Sequence, residues 1–535
     1  MTKGKKRTIA IVLVATILAG IMACCGIAFS VTDKIFQNNT PTYITIGSDI
    51  EGEITSSEDY EAYVLEIEEN GALTICLEHE NFTDTGKSGW VVTLYKVEDT
   101  ESDIQKNYTE IAYFESFWSD ATSDWDPVGL SAGTYCIVVS PGLYFLESDY
   151  TLVTDFTATD SYEKEPNNTK EAATQIAVGY GKYGNTSNKQ SGVDSDWYTF
   201  TLTADSCVNI SLTHSDGTFP TVGWTVTLVN EKDEKITQFT SRLTDLVVES
   251  GKIGLKAGVY HLLVEAQTDS ADDYTILVGS EKAVNFEFEM NDTSEEAIPL
   301  PQGVGISGSL SDRLLSLDKD YYKFTVEGNG YIDLTFTHKV LEGTKKGWNI
   351  RVIKELENGD LEEVIRKISY WNQATVSINQ LGIAPGDYYV LIDGDSVSYN
   401  SATYTLKWEF TEKENCELEP NSSIYNCQTL EFGEYYYGTI ISSDVTYDED
   451  FFKFNLTGTK NVCVEFSHEI TGSSDICWNI SIIDDDGNVV TEKTSALNES
   501  LVSTGIVELS AGVYFVKIET GIYGSEIPYK FRLIG

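Results

Sequence analysis

The chain has 535 residues, too many for one hydrophobic core and enough for roughly three to five domains. Hydrophobic residues are 41% and aromatics 12%, which excludes a disordered acidic tail, and 31 Tyr favour strands over helices. A formal charge of -48, from 84 acidic and 36 basic residues, repels phosphate backbones and excludes nucleic acid as a partner. Divalent cations are its natural counter-ions, although acidity also keeps an exported protein soluble.

At the N-terminus, Lys3, Lys5, Lys6 and Arg7 precede an uncharged apolar run from Ile9 to Phe29. Residues 1–31 are therefore expected to form a transmembrane helix, an anchor with its N-terminus inside. Signal cleavage at Ala28-Phe29-Ser30 is one alternative, and lipid modification of Cys24 is another. Each places the chain from Thr32 onward outside the cytoplasm, at the extracellular face of the membrane or secreted.

Beyond the anchor, four landmarks recur in fixed order. An Asp opens aromatic-rich alternation at Asp59, Asp196, Asp320 and Asp450. A strand then ends in His79, His214, His338 or His468. A Trp opens the next strand, at Trp90, Trp224, Trp348 and Trp478. A turn Gly precedes Tyr by two residues at Gly133, Gly258, Gly386 and Gly512, and these glycines step by 125, 128 and 126 residues (258−133, 386−258, 512−386). Such steps are domain-sized, so the units are tandem domains and not short solenoid repeats.

Trp224-Thr225-Val226-Thr227-Leu228 alternates apolar and polar, as a sheet with one buried face requires. Helical periodicity is almost absent; residues 170 to 176 are expected to make at most one turn. The fold class is all-β, four antiparallel β-sandwiches over 43–155, 160–281, 284–411 and 414–535. Short acidic linkers near 156–163, 281–286 and 411–416 would keep neighbours close, as a semi-rigid rod. The seven Cys outside the anchor are scattered, and only Cys416 and Cys427 suggest a pair; Cys76 and Cys463 fall on solvent-facing parity.

Repeats two to four begin with a second motif: Glu163-Lys164-Glu165-Pro166-Asn167, Glu287-Phe288-Glu289-Met290-Asn291 and Glu417-Leu418-Glu419-Pro420-Asn421. In an extended segment both Glu side chains and the Asn face one way. Pro166 and Pro420 hold the preceding Glu extended. Acids two apart recur later, as Asp194-Ser195-Asp196, Asp318-Lys319-Asp320 and Asp448-Glu449-Asp450. The halves are separated by a constant 31 residues (196−165, 320−289, 450−419), while the gap from Trp to turn Gly varies over 43, 34, 38 and 34. A fixed gap amid variable loops predicts that the halves meet.

Four converging carboxylates repel, and a hard cation resolves the repulsion. Calcium takes about 6–8 oxygen ligands with flexible geometry, whereas magnesium is stricter. Zinc is disfavoured because no His or Cys joins the set. Up to three Ca²⁺ sites are expected. Repeat one lacks the Glu-x-Glu half, has only Ser57-Glu58-Asp59, and is expected to hold no metal or a weak one.

Glu-x-Glu-Pro-Asn, Asp-x-Asp-Trp-Tyr-x-Phe, a mid-domain Trp, Ala-Gly-x-Tyr and a closing Tyr-Thr-Leu together resemble the bacterial pre-peptidase C-terminal domain family, related to calcium-binding domains of collagenases. The resemblance covers about residues 43–535, is best in repeat two and degenerate in repeat one. It implies jelly-roll-like sandwiches with calcium at the N-terminal linker. The ligands it implies are Glu163, Glu165, Asn167, Asn168, Asp194 and Asp196 in repeat two. Their counterparts are Glu287, Glu289, Asn291, Asp292, Asp318 and Asp320, then Glu417, Glu419, Asn421, Asp448 and Asp450. Met290 departs from the usual Pro, and no peptidase precedes the array.

His-Glu-x-x-His and Gly-x-Ser-x-Gly are absent. The Gly-x-Gly-x-x-Gly matches at 179–184 and 303–308 sit among strands with no helix following, and read as accidental. The recurring His read as structural partners of the Trp. The expected function is that of a non-catalytic cell-surface binding or adhesion protein. An accessory subunit of a separate secreted hydrolase and a pure surface spacer are the alternatives. An insertion at 100–127 carries Tyr113, Phe117, Trp118 and Trp125, and repeat three carries Trp371; these are candidates to bind an extracellular protein or polysaccharide, or to fold back over the sandwich.

Overall fold

A computed structural model describes residues 41–83, 86–99, 106–186, 194–215, 217, 219–268, 273–311, 318–394, 400–441 and 448–535. The anchor expected at 1–31 lies outside them; among the described residues no helix is long and apolar enough to cross a membrane.

Strand alternation builds four sandwiches, each with its own two sheets. In the second, one sheet runs Thr174–Gln175, Ser195–Leu202, Gly258–Ala266, Val222–Asn230, Lys235–Arg242. The facing sheet runs Lys182–Asn185, Asp273–Lys282, Ser206–His214, Val247–Glu249, with Ile253–Leu255 also on Ser206–His214. Thr174–Gln175 runs parallel to Ser195–Leu202, and the other strands of that sheet pair antiparallel, as do Lys182–Asn185 with Asp273–Lys282 and both Val247–Glu249 and Ile253–Leu255 with Ser206–His214. The other three sandwiches repeat this order; in the third, the single strand Thr375–Ile383 replaces the last two. The turn expected at 170–176 is a 3₁₀ turn, Lys170–Ala172, and repeat three has its counterpart at Ser294–Glu296. The chain divides into two compact units. One holds the first sandwich and most of the second; the other holds the third and fourth together with Ala204–Val208 and Ser250–Lys256.

Each core closes on its Trp. Trp90, Trp224, Trp348 and Trp478 are at most 2% exposed. Each packs against its His, with ring centroids 4.0, 4.4, 4.1 and 4.2 Å apart. The His Nδ1 lies 2.7–2.9 Å from the carbonyl of the next residue, so it carries the proton and donates. Nε2 therefore accepts from the hydroxyl of Ser116, Ser241, Ser369 or Ser495, at 2.8, 2.8, 2.9 and 3.1 Å. The histidines thus tie two strands over the Trp. Replacing Ser241 by Ala leaves a buried acceptor unpaired and is expected to cost about 1–3 kcal/mol, read by urea unfolding.

The aromatic insertion folds into the sandwich. Lys106–Phe117 pairs antiparallel with Ser88–Asp99, extending a hairpin that every repeat has. Phe114, Trp118 and Trp125 pack on the core of the first sandwich, and Tyr113 and Phe117 are half-buried. Trp118 and Trp371 occupy one structural position. Each accepts and donates backbone bonds across the hairpin end, as Leu243 and Leu497 do in the other repeats. Lys87 and Lys345 cover their rings at 4.7 and 4.9 Å. These residues lie as a lid on their own sandwich. Cys416 and Cys427 are unbridged thiols, and Cys463 is 8% exposed, so it is buried where solvent-facing parity was expected.

Candidate metal centres

The two Glu of each linker are held by different strands. The first donates its N–H to its own sandwich: Glu163 to Tyr183, Glu287 to Ser307 and Glu417 to Tyr437, at 2.8, 2.9 and 2.8 Å. The second donates to the preceding sandwich: Glu165 to Gly129, Glu289 to Gly254 and Glu419 to Gly382, each at 2.9 Å. A cis peptide follows the second Glu in all three, including Glu289–Met290. The Asn carbonyl then accepts the N–H of the residue after Asp-x-Asp: Trp197 to Asn167, Tyr321 to Asn291 and Phe451 to Asn421, at 3.0, 3.0 and 3.2 Å. This backbone clasp accounts for the constant spacing between the halves of the motif.

The clasp gathers Glu163, Glu165 and Asp196; Glu289, Asp318 and Asp320; and Glu417, Glu419 and Asp450. Within each set, one oxygen per residue lies within 4.8 Å of the others. All are buried except the half-buried Glu289. Asp194, Glu287 and Asp448 are buried beside them. Asn168 and Asp292 act differently: their Oδ1 accepts from Ser195 N at 3.1 Å and Lys319 N at 3.3 Å, fixing the start of the Asp-x-Asp strand.

Protein donors hold one side of each ring. Asn185, Ser309 and Thr439 donate N–H to Oε1 of the first Glu at 2.6, 2.6 and 2.9 Å. Tyr274, Tyr404 and Tyr529 donate to Oδ2 of Asp196, Asp320 and Asp450 at 2.6, 2.5 and 2.5 Å. Tyr198 and Tyr322 also donate to Glu163 and Glu287. The fourth repeat has Phe452 at that place, so Glu417 lacks this donor.

The other side presents acceptors, with the Asn421 amide nitrogen beside them in repeat four. Oδ1 of Asp196, Asp320 and Asp450, and Oδ1 of Asn167, Asn291 and Asn421, are buried with no hydrogen-bond donor. The same two atoms are orphaned in three independent copies. A buried acceptor without a donor incurs the full desolvation penalty, which a bound cation would offset. The donor set is all oxygen, which fits calcium and not zinc.

The charges agree. Burial, then the charge of Asp194, pushes Glu163 up to about 8. Burial also pushes Glu287 up to about 8. Asp196, Asp320, Glu417 and Glu419 rise well above the usual carboxylate range, through burial and then through the charge of the other carboxylates in their own ring.

In the first sandwich, the sequence alignment needs correction. Glu61 pairs with Val139 six residues before Ile67 pairs with Gly133, as Asp196 pairs with Val264 before Leu202 pairs with Gly258. Glu61, and not Asp59, therefore takes the place of Asp196. Its Oε2 accepts from Tyr63 and Tyr150, each at 2.5 Å, so the tyrosine pair is retained around a single carboxylate. Among the described residues the first sandwich contributes no group of three carboxylates.

The sequence reading missed the tyrosines and one glycine per site. At Gly184 a Cβ would meet the Tyr198 and Tyr274 hydroxyls; at Gly308 and Gly438 it would meet the first Glu carboxylate. Two of these end the patterns dismissed as accidental. Their signal was available: each stands 21 residues after the first Glu (184−163, 308−287, 438−417).

The family described as secretion system C-terminal sorting domain matches residues 459–526. That span lies inside the fourth sandwich, from Lys460–His468 through Gly512–Thr520, and points to an exported protein. Comparison with curated proteins gives no match. Among solved structures, the pre-peptidase C-terminal domain of a Bacillus anthracis collagenase is 14% identical, covering 20% of this chain and 94% of its own, with a TM-score of 0.17. A tandem CBM22 domain of Paenibacillus barcinonensis Xyn10C is 11% identical, covering 40% and 82%, with a TM-score of 0.15. The glycosylasparaginase PNGase F of Flavobacterium meningosepticum is 7% identical, covering 43% and 95%, with a TM-score of 0.19. At these values the likenesses carry no argument about what this chain does.

Proposed function

We propose that this is an exported, non-catalytic binding or adhesion protein, held at the cell surface by residues 1–31 and built from tandem pre-peptidase C-terminal-type sandwiches. The second, third and fourth sandwiches each hold one calcium ion at their linker. The observation that carries the metal reading is the repeated pair of orphaned oxygens, Asp Oδ1 and Asn Oδ1, in three buried carboxylate rings. Export is supported by the sorting-domain match. The role of the ion is structural: it neutralises the linker carboxylates, and so orders each linker.

A glycan-array and matrix-protein screen with the whole chain in calcium tests the binding role. A saturable ligand, lost in chelator, is expected. No ligand in either condition would leave a spacer and sink the binding role; capture of a secreted hydrolase instead would make the chain an accessory subunit.

A further inference from the structure

Each metal linker rests on a glycine of the sandwich before it. Gly129 lies in Val128–Leu130, Gly254 in Ile253–Leu255 and Gly382 in Thr375–Ile383. The three are equivalent in register: they pair with Ala72, Cys207 and Tyr331 of the neighbouring strand. A Cβ on any of them would overlap the main-chain carbonyl oxygen of Glu163, Glu287 or Glu417, the first Glu of the following site. The same glycines accept the N–H of the second Glu at 2.9 Å. None of the three has positive φ, so their own strands would accept a side chain without backbone strain. Only the linker of the next repeat requires glycine there.

The fourth sandwich supplies a natural contrast. Val507–Leu509 pairs with its neighbour in the same register, Glu508 opposite Asn461, and the glycine position holds an exposed Glu. This strand lacks the bare backbone that seats a metal linker.

We infer that Gly129, Gly254 and Gly382 are positioning residues for the calcium site of the following repeat, so that each site is assembled from two sandwiches. The inference rests on the calcium reading above. Backbone from one sandwich sets where Glu165, Glu289 or Glu419 stands, and the next sandwich supplies the remaining ligands. Cation binding and the seating of a linker on its predecessor are then one linked equilibrium, each strengthening the other by the same factor.

Calorimetric titration of the whole chain with calcium chloride tests this. Wild type is expected to show three binding events. Gly129→Ala is expected to weaken one of them by about tenfold or more, because the linker must lift off the added methyl. Gly382→Ala is expected to weaken a different one, and Glu508→Ala none. In an Asp196→Asn background, Gly129→Ala should change no remaining event. In chelator, Gly129→Ala should lose only the seating of the linker, so its midpoint should fall less than it does in calcium. Three unchanged events in Gly129→Ala would overturn the inference while the calcium reading stood. A midpoint that falls equally in calcium and in chelator would overturn it too, by separating Gly129 from the ion. No binding in wild type would instead remove the calcium reading itself.

Discussion

Calcium at a thousandfold excess over its dissociation constant is expected to stabilise each of the second, third and fourth sandwiches by about 4 kcal/mol, and a chelator to remove the gain. For a domain of this size that is on the order of 10 °C in thermal midpoint. The effect should depend on pH in opposite senses with and without the ion. Glu163 moves from 4.5 in the unfolded chain to about 8 in the folded one. Between those values the folded chain keeps a proton that the unfolded chain has released. The contribution of Glu163 to stability in chelator is therefore fully present below pH 4.5 and is lost as pH rises through about 8. Glu287 behaves alike over the same window. Calcium competes with those protons, so its affinity rises with pH across the window and binding releases protons into the buffer. Melts at low and high pH, in calcium and in chelator, read both signs. A midpoint indifferent to calcium, chelator and pH would refute the centres.

The second large effect is a reversal produced by one atom. Asp196→Asn keeps the shape of the side chain and an oxygen that can accept from Tyr274, but removes the charge. Without calcium this relieves the burial of a charge and its repulsion from Glu163, Asp194 and Glu165, which together hold Asp196 well above the usual carboxylate range. The variant should therefore melt later than wild type in chelator at pH 8. With calcium it should melt earlier, because an anionic ligand is missing. Loss of one carboxylate from a buried oxygen ring is expected to weaken that site by about a hundredfold, near 2.7 kcal/mol. Two of the three calorimetric events should persist unchanged, since the other rings share no ligand with it. A variant that loses stability in both conditions would show that Asp196 serves only packing, and the metal reading of its ring would fail.

Phe452 offers an internal comparison. Repeat four has lost one donor to its first Glu that repeats two and three retain. Glu417 is raised by burial and by Asp450, Glu419 and Asp448.

Much of this was legible in the linear chain because its repeats are local and periodic. Alternation, the Trp and His landmarks, and the 31-residue gap between Glu-x-Glu and Asp-x-Asp all follow from strand period and from a backbone clasp of fixed length. The chain alone therefore determined an all-β array and the carboxylates to examine. Register escaped it. Whether Asp59 or Glu61 stands where Asp196 stands depends on which residue faces Val139, and a two-residue slip preserves the facing pattern. The tyrosines escaped for another reason: Tyr150 comes 89 residues after Glu61, and only the pairing of facing sheets brings them together. The aromatic insertion was ambiguous until hairpin pairing turned Trp118 onto its own core. Gly129 lies furthest from linear reasoning. Its role is defined by a carbonyl in the next sandwich, and no local propensity records a contact across a domain boundary.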